Sequence, residues 1–220
     1  MISIYYFLFN AFEQRCTVIW DDEQNCAIFD PGFDSLEEKT GFFSFIKSRN
    51  LNVKGIFLTH AHFDHIYGLK ESQEEFDVPI YMNPADKVIL ENNKFFCKAF
   101  GLNTPELPKE TKDAQDGDIV VIGKMKFEAI HTPGHTPGGT CWLERDNKIL
   151  ISGDTLFAGS IGRTDNKWGD YDALMNSIIE KLMVLDGDIK VIPGHGPCSS
   201  IAKERATNPF LAPFNEPYEN

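Results

Sequence analysis

At 220 residues the chain has room for one large α/β domain, and 42% hydrophobic with 25% charged residues is the balance of a chain that buries a continuous core. A formal net charge of -12 repels phosphate backbones and anionic headgroups, which sets nucleic acid and membrane surfaces aside and favours a small-molecule partner. The five cysteines, Cys16, Cys26, Cys97, Cys141 and Cys198, are odd in number and form no C-x-x-C pair, so free thiols in a reducing compartment are expected.

The apolar opening, residues 1–9, lacks a basic n-region and a cleavage site and is far shorter than the roughly 20 residues of a spanning helix. It reads as a first strand, and a cytoplasmic location follows. Residues 2–9, 16–20 and 26–30 are rich in β-branched and aromatic side chains with polar turns between them, the pattern of an antiparallel meander. Asp34 and Ser35 then cap a helix reaching Arg49, and residues 53–58 form a buried-type strand that runs directly into a histidine-rich loop. Beyond it we expect a helix to about residue 75, a short strand at 79–82, a helix at 83–100 and a loop at 104–115. A second set of strands follows at 118–122, 126–130, 140–144 and 148–152, then a helix at 171–185 and a strand at 189–192. Strands followed by helices thus occur twice, which suggests two similar halves, each a sheet backed by helices, packed face to face. One domain is expected over residues 1–206, with a tail at 207–220 in which Phe210 and Phe214 act as packing anchors.

All six histidines fall in three places: His60, His62 and His65; His131 and His135; and His195. Each cluster follows an expected strand and is flanked by glycine, proline or threonine, which puts the imidazoles on loops at strand ends, where α/β sites gather. Alternate side chains of an extended segment share a face. His60 and His62 can therefore address one ion while Asp64 and His65, at the turn into a helix, reach a neighbouring one. Imidazole and carboxylate donors without cysteine suit zinc, iron or manganese. Donor chemistry alone does not choose among the three.

The run Thr59-His60-Ala61-His62-Phe63-Asp64-His65 resembles the H-x-H-x-D-H signature of the metallo-β-lactamase superfamily. His135 in Thr132-Pro133-Gly134-His135-Thr136-Pro137-Gly138, Asp154 in Ser152-Gly153-Asp154-Thr155, and His195 in Pro193-Gly194-His195-Gly196-Pro197 resemble its glyoxalase II-like branch. The resemblance implies a four-layer αββα sandwich and two divalent metal ions. It assigns His60, His62 and His135 to the first metal, Asp64, His65 and His195 to the second, and Asp154 as a bridge. His131 matches no ligand position, and a structural role is expected. Asp30-Pro31-Gly32 resembles a turn whose aspartate supports a ligand histidine.

Two such cations lower the pKa of a bridging water from about 15.7 toward 7, giving a hydroxide able to attack a polarised carbonyl. Asp64 and Asp154 hold this chemistry, and a thioester, whose thiolate leaves readily, is the expected substrate: S-lactoylglutathione or a related acyl thioester. Arg163 in Gly162-Arg163-Thr164-Asp165 is the expected substrate contact. The long glyoxalase II enzymes grip glutathione with a basic C-terminal extension, whereas residues 207–220 are rich in Pro, Phe and Asn, so the leaving thiol stays open. The alternatives are a persulfide dioxygenase with one iron, whose branch shares Gly-Arg-Thr-Asp, a lactonase, and a non-catalytic metal-binding domain.

Overall fold

Val18 and Ile19 are neighbours on one strand, face opposite ways and enter two different apolar clusters. The same split recurs at Cys26 and Ala27, and at Ile56 and Phe57, so these strands are buried on both faces. A sheet covered twice needs a second sheet on one side and helices on the other, and the chain supplies both. The computed structural model describes residues 1–214, with side chains through residue 212.

The first sheet has six strands in sequence order: β1 (Ile2–Phe9), β2 (Gln14–Asp21), β3 (Asn25–Phe29), β4 (Asn52–Phe57), β5 (Ile80–Met82) and β6 (Lys112–Asp113). β1 to β3 pair antiparallel, as the expected meander does, and β3 to β6 pair parallel through helical crossovers. The second sheet also has six strands. β7 (Ile119–Ile122), β8 (Met125–His131), β9 (Thr140–Glu144) and β10 (Ile149–Gly153) run antiparallel, and β13 (Lys190–Pro193) and β14 (Ser199–Ser200) complete the other edge. A separate hairpin joins β11 (Leu156–Phe157) to β12 (Ser160–Ile161).

Between the sheets Phe29, Phe57, Phe127 and Trp142 form the central core, and the Trp142 Nε1–H donates to the Leu58 carbonyl at 2.9 Å. Outside the first sheet lie α1 (Leu36–Ser48), α2 (Phe63–Ile66), α3 (Leu69–Phe76) and α4 (Lys87–Phe100). α1 starts at Ser35, whose hydroxyl accepts from the Glu38 N–H while the Glu38 carboxylate accepts from the Ser35 N–H, and it buries Phe42, Phe45 and Ile46. Against the second sheet pack α5 (Tyr171–Ser177) and α6 (Ile201–Thr207) with Leu174, Ile178, Leu182 and Ile201. The four layers are thus αββα. No helix among the described residues is long and apolar enough to cross a membrane. All five cysteines are free.

The expected helix at 171–185 is α5 followed by a wider π turn at Ile178–Leu182. Its buried residues Leu174, Ile178 and Leu182 recur every fourth position, and a turn wider than 3.6 residues offsets the drift that this spacing accumulates on an α-helix. α6 runs across the expected 206/207 boundary, and Asn208 and Leu211 beyond it are buried, Leu211 in the core of the second half. Phe210 is 44% exposed, which is a correction to its reading as a packing anchor, while the side chain of Phe214 and residues 215–220 lie outside what the structure describes.

Candidate metal centre

β4, β8, β10 and β13 all end at one place. His60 and His62 leave the end of β4 in extended backbone, and α2 begins at Phe63, so Asp64 and His65 fall on its first turn. His135 follows β8, Asp154 follows β10 and His195 follows β13. The sheets meet here directly, because the Thr140 N–H of one donates to the Thr59 carbonyl of the other at 2.8 Å.

Donor atoms of His60, His62 and His135 lie within 4.8 Å of one another, as do those of Asp64, His65 and His195, and those of His60, His65 and Asp154. Asp154 stands between the two sets. Its Oδ1 is 3.5 Å from His65 Nε2, and its Oδ2 is 3.6 Å from His135 Nε2 and 3.7 Å from His195 Nε2. Gly194 has to be glycine, because a Cβ there would meet Asp154 Oδ1 at 2.3 Å and His65 Cε1 at 2.7 Å.

Four of the imidazoles are aimed from behind. His135 Nδ1–H donates to the Arg163 carbonyl at 2.7 Å, and His195 Nδ1–H to the Phe12 carbonyl at 2.9 Å. A carbonyl only accepts, so in both rings Nε2 turns inward as a lone pair. Asp30 serves two rings at once. Its Oδ2 lies 3.0 Å from His65 Nδ1 and accepts from Thr59 Oγ1 at 2.6 Å, and that hydroxyl is 3.1 Å from His60 Nδ1. Asp30 sits at φ 50°, a left-handed conformation that aspartate tolerates better than most residues, and its Oδ1 accepts the Thr59 N–H at 2.8 Å.

Asp86 clasps the other side. Fully buried, it accepts from the Ala61 N–H at 2.8 Å, the Thr136 hydroxyl at 3.0 Å and the Gly138 N–H at 2.6 Å, binding the His60–His62 loop to the His135 loop. Burial raises its pKa. Asn93 of α4 donates to the Ala61 carbonyl at 2.7 Å, so the residue between the two histidines is held at both ends.

These residues fit divalent cations. The inward lone pair of His135 faces His62 Nδ1 at 2.9 Å, and that of His195 faces His65 Nε2 at 3.3 Å; two nitrogens sharing one tetrahedral zinc stand about 3.3 Å apart. His60 Nε2 is buried with no hydrogen-bond partner among the described residues, as is Asp154 Oδ1. Burial, reinforced by the neighbouring imidazoles, drives His60 well below the usual histidine range and His62 down to about 3, leaving both neutral and ready to ligate. Burial would also depress His65, but Asp64, Asp154 and Asp30 together raise it well above the ordinary value. Burial would raise Asp154, yet His65 and the surrounding imidazoles hold it far below the usual carboxylate range. The pocket therefore recruits positive charge among its carboxylates.

Arg163 contributes its carbonyl to His135, while its side chain is 82% exposed and its guanidinium forms a fork with Asp165 at 3.0 Å on both arms. His131 lies outside the three donor groups; its Nε2–H donates to the Pro137 carbonyl at 2.8 Å and closes the loop that carries His135. Asp86 and Asn93 escaped the sequence reading. Asn83, which accepts from the Ala85 N–H, and Pro84 mark a helix start, but nothing local says that Asp86 reaches two distant loops.

The sequence profile of the metallo-beta-lactamase superfamily matches residues 10–195. The chain is 40% identical over 205 residues to hydroxyacylglutathione hydrolase GloC of Haemophilus influenzae, covering 91% of this chain and 94% of that one. Among solved structures it is similar to the BLEG-1 B3 metallo-beta-lactamase, at TM-score 0.85 and 31% identity over 95% of this chain and 99% of the other. It is similar also to TTHA1623 in a di-iron-bound form, at TM-score 0.85 and 30% identity over 94% and 100%. Layers, donor groups and relatives agree, and this chain belongs to the metallo-β-lactamase superfamily.

Proposed function

We propose that this protein is a binuclear metal-dependent hydrolase of acyl thioesters, with S-lactoylglutathione or a related acyl thioester as substrate. The observation that supports it most is the pair of complete donor sets, His60, His62 and His135 beside Asp64, His65 and His195, with Asp154 between them. Cations bound there supply Lewis acidity and activate water for attack on a carbonyl. The chain's own residues do the rest. Asp154 spans the two sets, Asp64 Oδ2 lies 3.2 Å from His195 Nε2, and Asp30 and Asp86 keep the donor loops from shifting when charge changes. Arg163, beside the centre through Gly162, is the contact for an anionic group of the substrate, released from Asp165 when substrate arrives.

Zinc is our first assignment of the metal and iron or manganese the second, the latter in keeping with a di-iron relative. The test is metal analysis of the purified protein together with a panel of S-lactoylglutathione, other acyl thioesters, a lactone, a β-lactam and a glutathione persulfide. Thioester turnover that scales with two bound metals per chain is expected. Oxygen consumption on the persulfide with one iron and no thioester turnover would replace this reading with a dioxygenase; bound metal with no turnover of any kind would leave a metal-binding domain.

A further inference from the structure

α4 is built inside out. Its buried face carries Ile89, Asn93 and Cys97, whereas Phe95, Phe96 and Phe100 face outward, at 64%, 43% and 67% exposure. Helices ordinarily hide such rings, and contiguous exposed apolar surface marks a place where something binds. Phe96 does not stand alone. Its ring stacks on Phe63 with centroids 5.3 Å apart, Phe100 follows at 4.6 Å from Phe96, and Phe12 meets Phe63 edge-on at 5.2 Å. Phe12 lies on the turn between β1 and β2 and is 43% exposed.

This row of rings is continuous with the metal centre. Phe63 sits in the chain between His62 and Asp64, and the backbone carbonyl of Phe12 is the one that holds His195. The His195 side chain is 26% exposed, against 0% for His65, so the rings flank the side on which the centre opens.

We infer that Phe12, Phe96 and Phe100, seated on the buried ring of Phe63, form a recognition wall for an apolar substituent of the substrate, an alkyl or aryl group on either its acyl or its thiol side. The inference deepens the thioesterase reading and rests on it for the identity of the reacting bond. The inference narrows that reading to its second member: acyl thioesters bearing a hydrophobic group are preferred to S-lactoylglutathione itself, because each methylene laid against the rings leaves water.

The test uses ligands that need no cleavage. Straight-chain carboxylates from acetate to octanoate report the acyl side and n-alkanethiols report the thiol side, each titrated by calorimetry into the metal-loaded protein. In one of the two series affinity should climb about two- to four-fold per added methylene. Phe96→Ser and Phe12→Ser, which keeps the carbonyl that holds His195, should flatten that climb while metal content stays at the wild-type value; Phe100→Ser serves if either fails to fold. Two flat series in the wild type would overturn the wall, as would a slope that survives in the variants, or rings that turn out to be covered by a second copy of the chain in solution. A slope that persists in a protein inactive on every thioester would retain the wall and sink the thioesterase reading.

Discussion

The inner and outer parts of the centre are built by different means. Around His60 and His65, at 2% and 0% exposure, each ring is backed by the Asp30–Thr59 network and the loop between the histidines is clasped by Asp86 and Asn93. At the edge, His195 is backed by a single carbonyl, that of the exposed Phe12, and on the His135 side the Arg163 guanidinium pairs with Asp165. Buried, fully partnered polar groups hold geometry, whereas exposed groups are free to change with the substrate. On the proposed function, the inner part fixes which atoms react and the edge sets which molecules reach them.

Three substitutions break the inner part, in falling order. Asp154→Ala removes the carboxylate between the two donor sets, and activity should fall on the order of 10³-fold, with one of two metals lost by elemental analysis and the circular dichroism of the fold retained. Wild-type activity in that variant would end the two-metal proposal. Asp86→Ala leaves three buried donors without their acceptor, so unfolding of the metal-free protein should cost about 3 kcal/mol less, or roughly 6–12 °C in melting temperature. Asp30→Asn is subtler, since an amide N–H opposite His65 Nδ1 forces the other tautomer and turns a protonated Nε2 toward the metals. Affinity for the second metal should drop about 10- to 100-fold by competitive chelation, with the first metal less affected and the melting curve of the metal-free protein close to wild type.

How legible each part was follows from how local its signal is. The seven donors were readable because four of them lie within six consecutive residues and the others sit in glycine-flanked turns after strands. The two packed sheets were readable from an order of strands and then helices that occurs twice, with apolar runs such as residues 26–29 and 55–58 inside them. Asp86 was not, because its partners lie 25, 50 and 52 residues away and its work exists only after folding. The two-residue strands β6, β11, β12 and β14 are too short to show a period. α4 was recognised as a helix but gave no hint of its face, since hydrophobicity alone would bury Phe96 and expose Asn93, and the structure does the reverse. The proposed recognition wall accounts for that reversal.

The smallest expected effect sharpens the edge. Arg163 supports His135 through its main-chain carbonyl, which substitution keeps, while its side chain is solvated and, among the described residues, joined to the exposed Asp165. Arg163→Ala should therefore leave melting temperature, metal content and the kcat for an uncharged thioester unchanged. For a thioester of glutathione, whose carboxylates the guanidinium can pair, KM should rise a few-fold, and more so at low salt than at high, since an exposed ionic contact is screened within about 10 Å at 0.1 M. An equal loss on charged and uncharged substrates would mean that the side chain acts through the His135 loop instead. The same comparison made on Phe96→Ser should run the other way, with the uncharged, apolar substrate losing most.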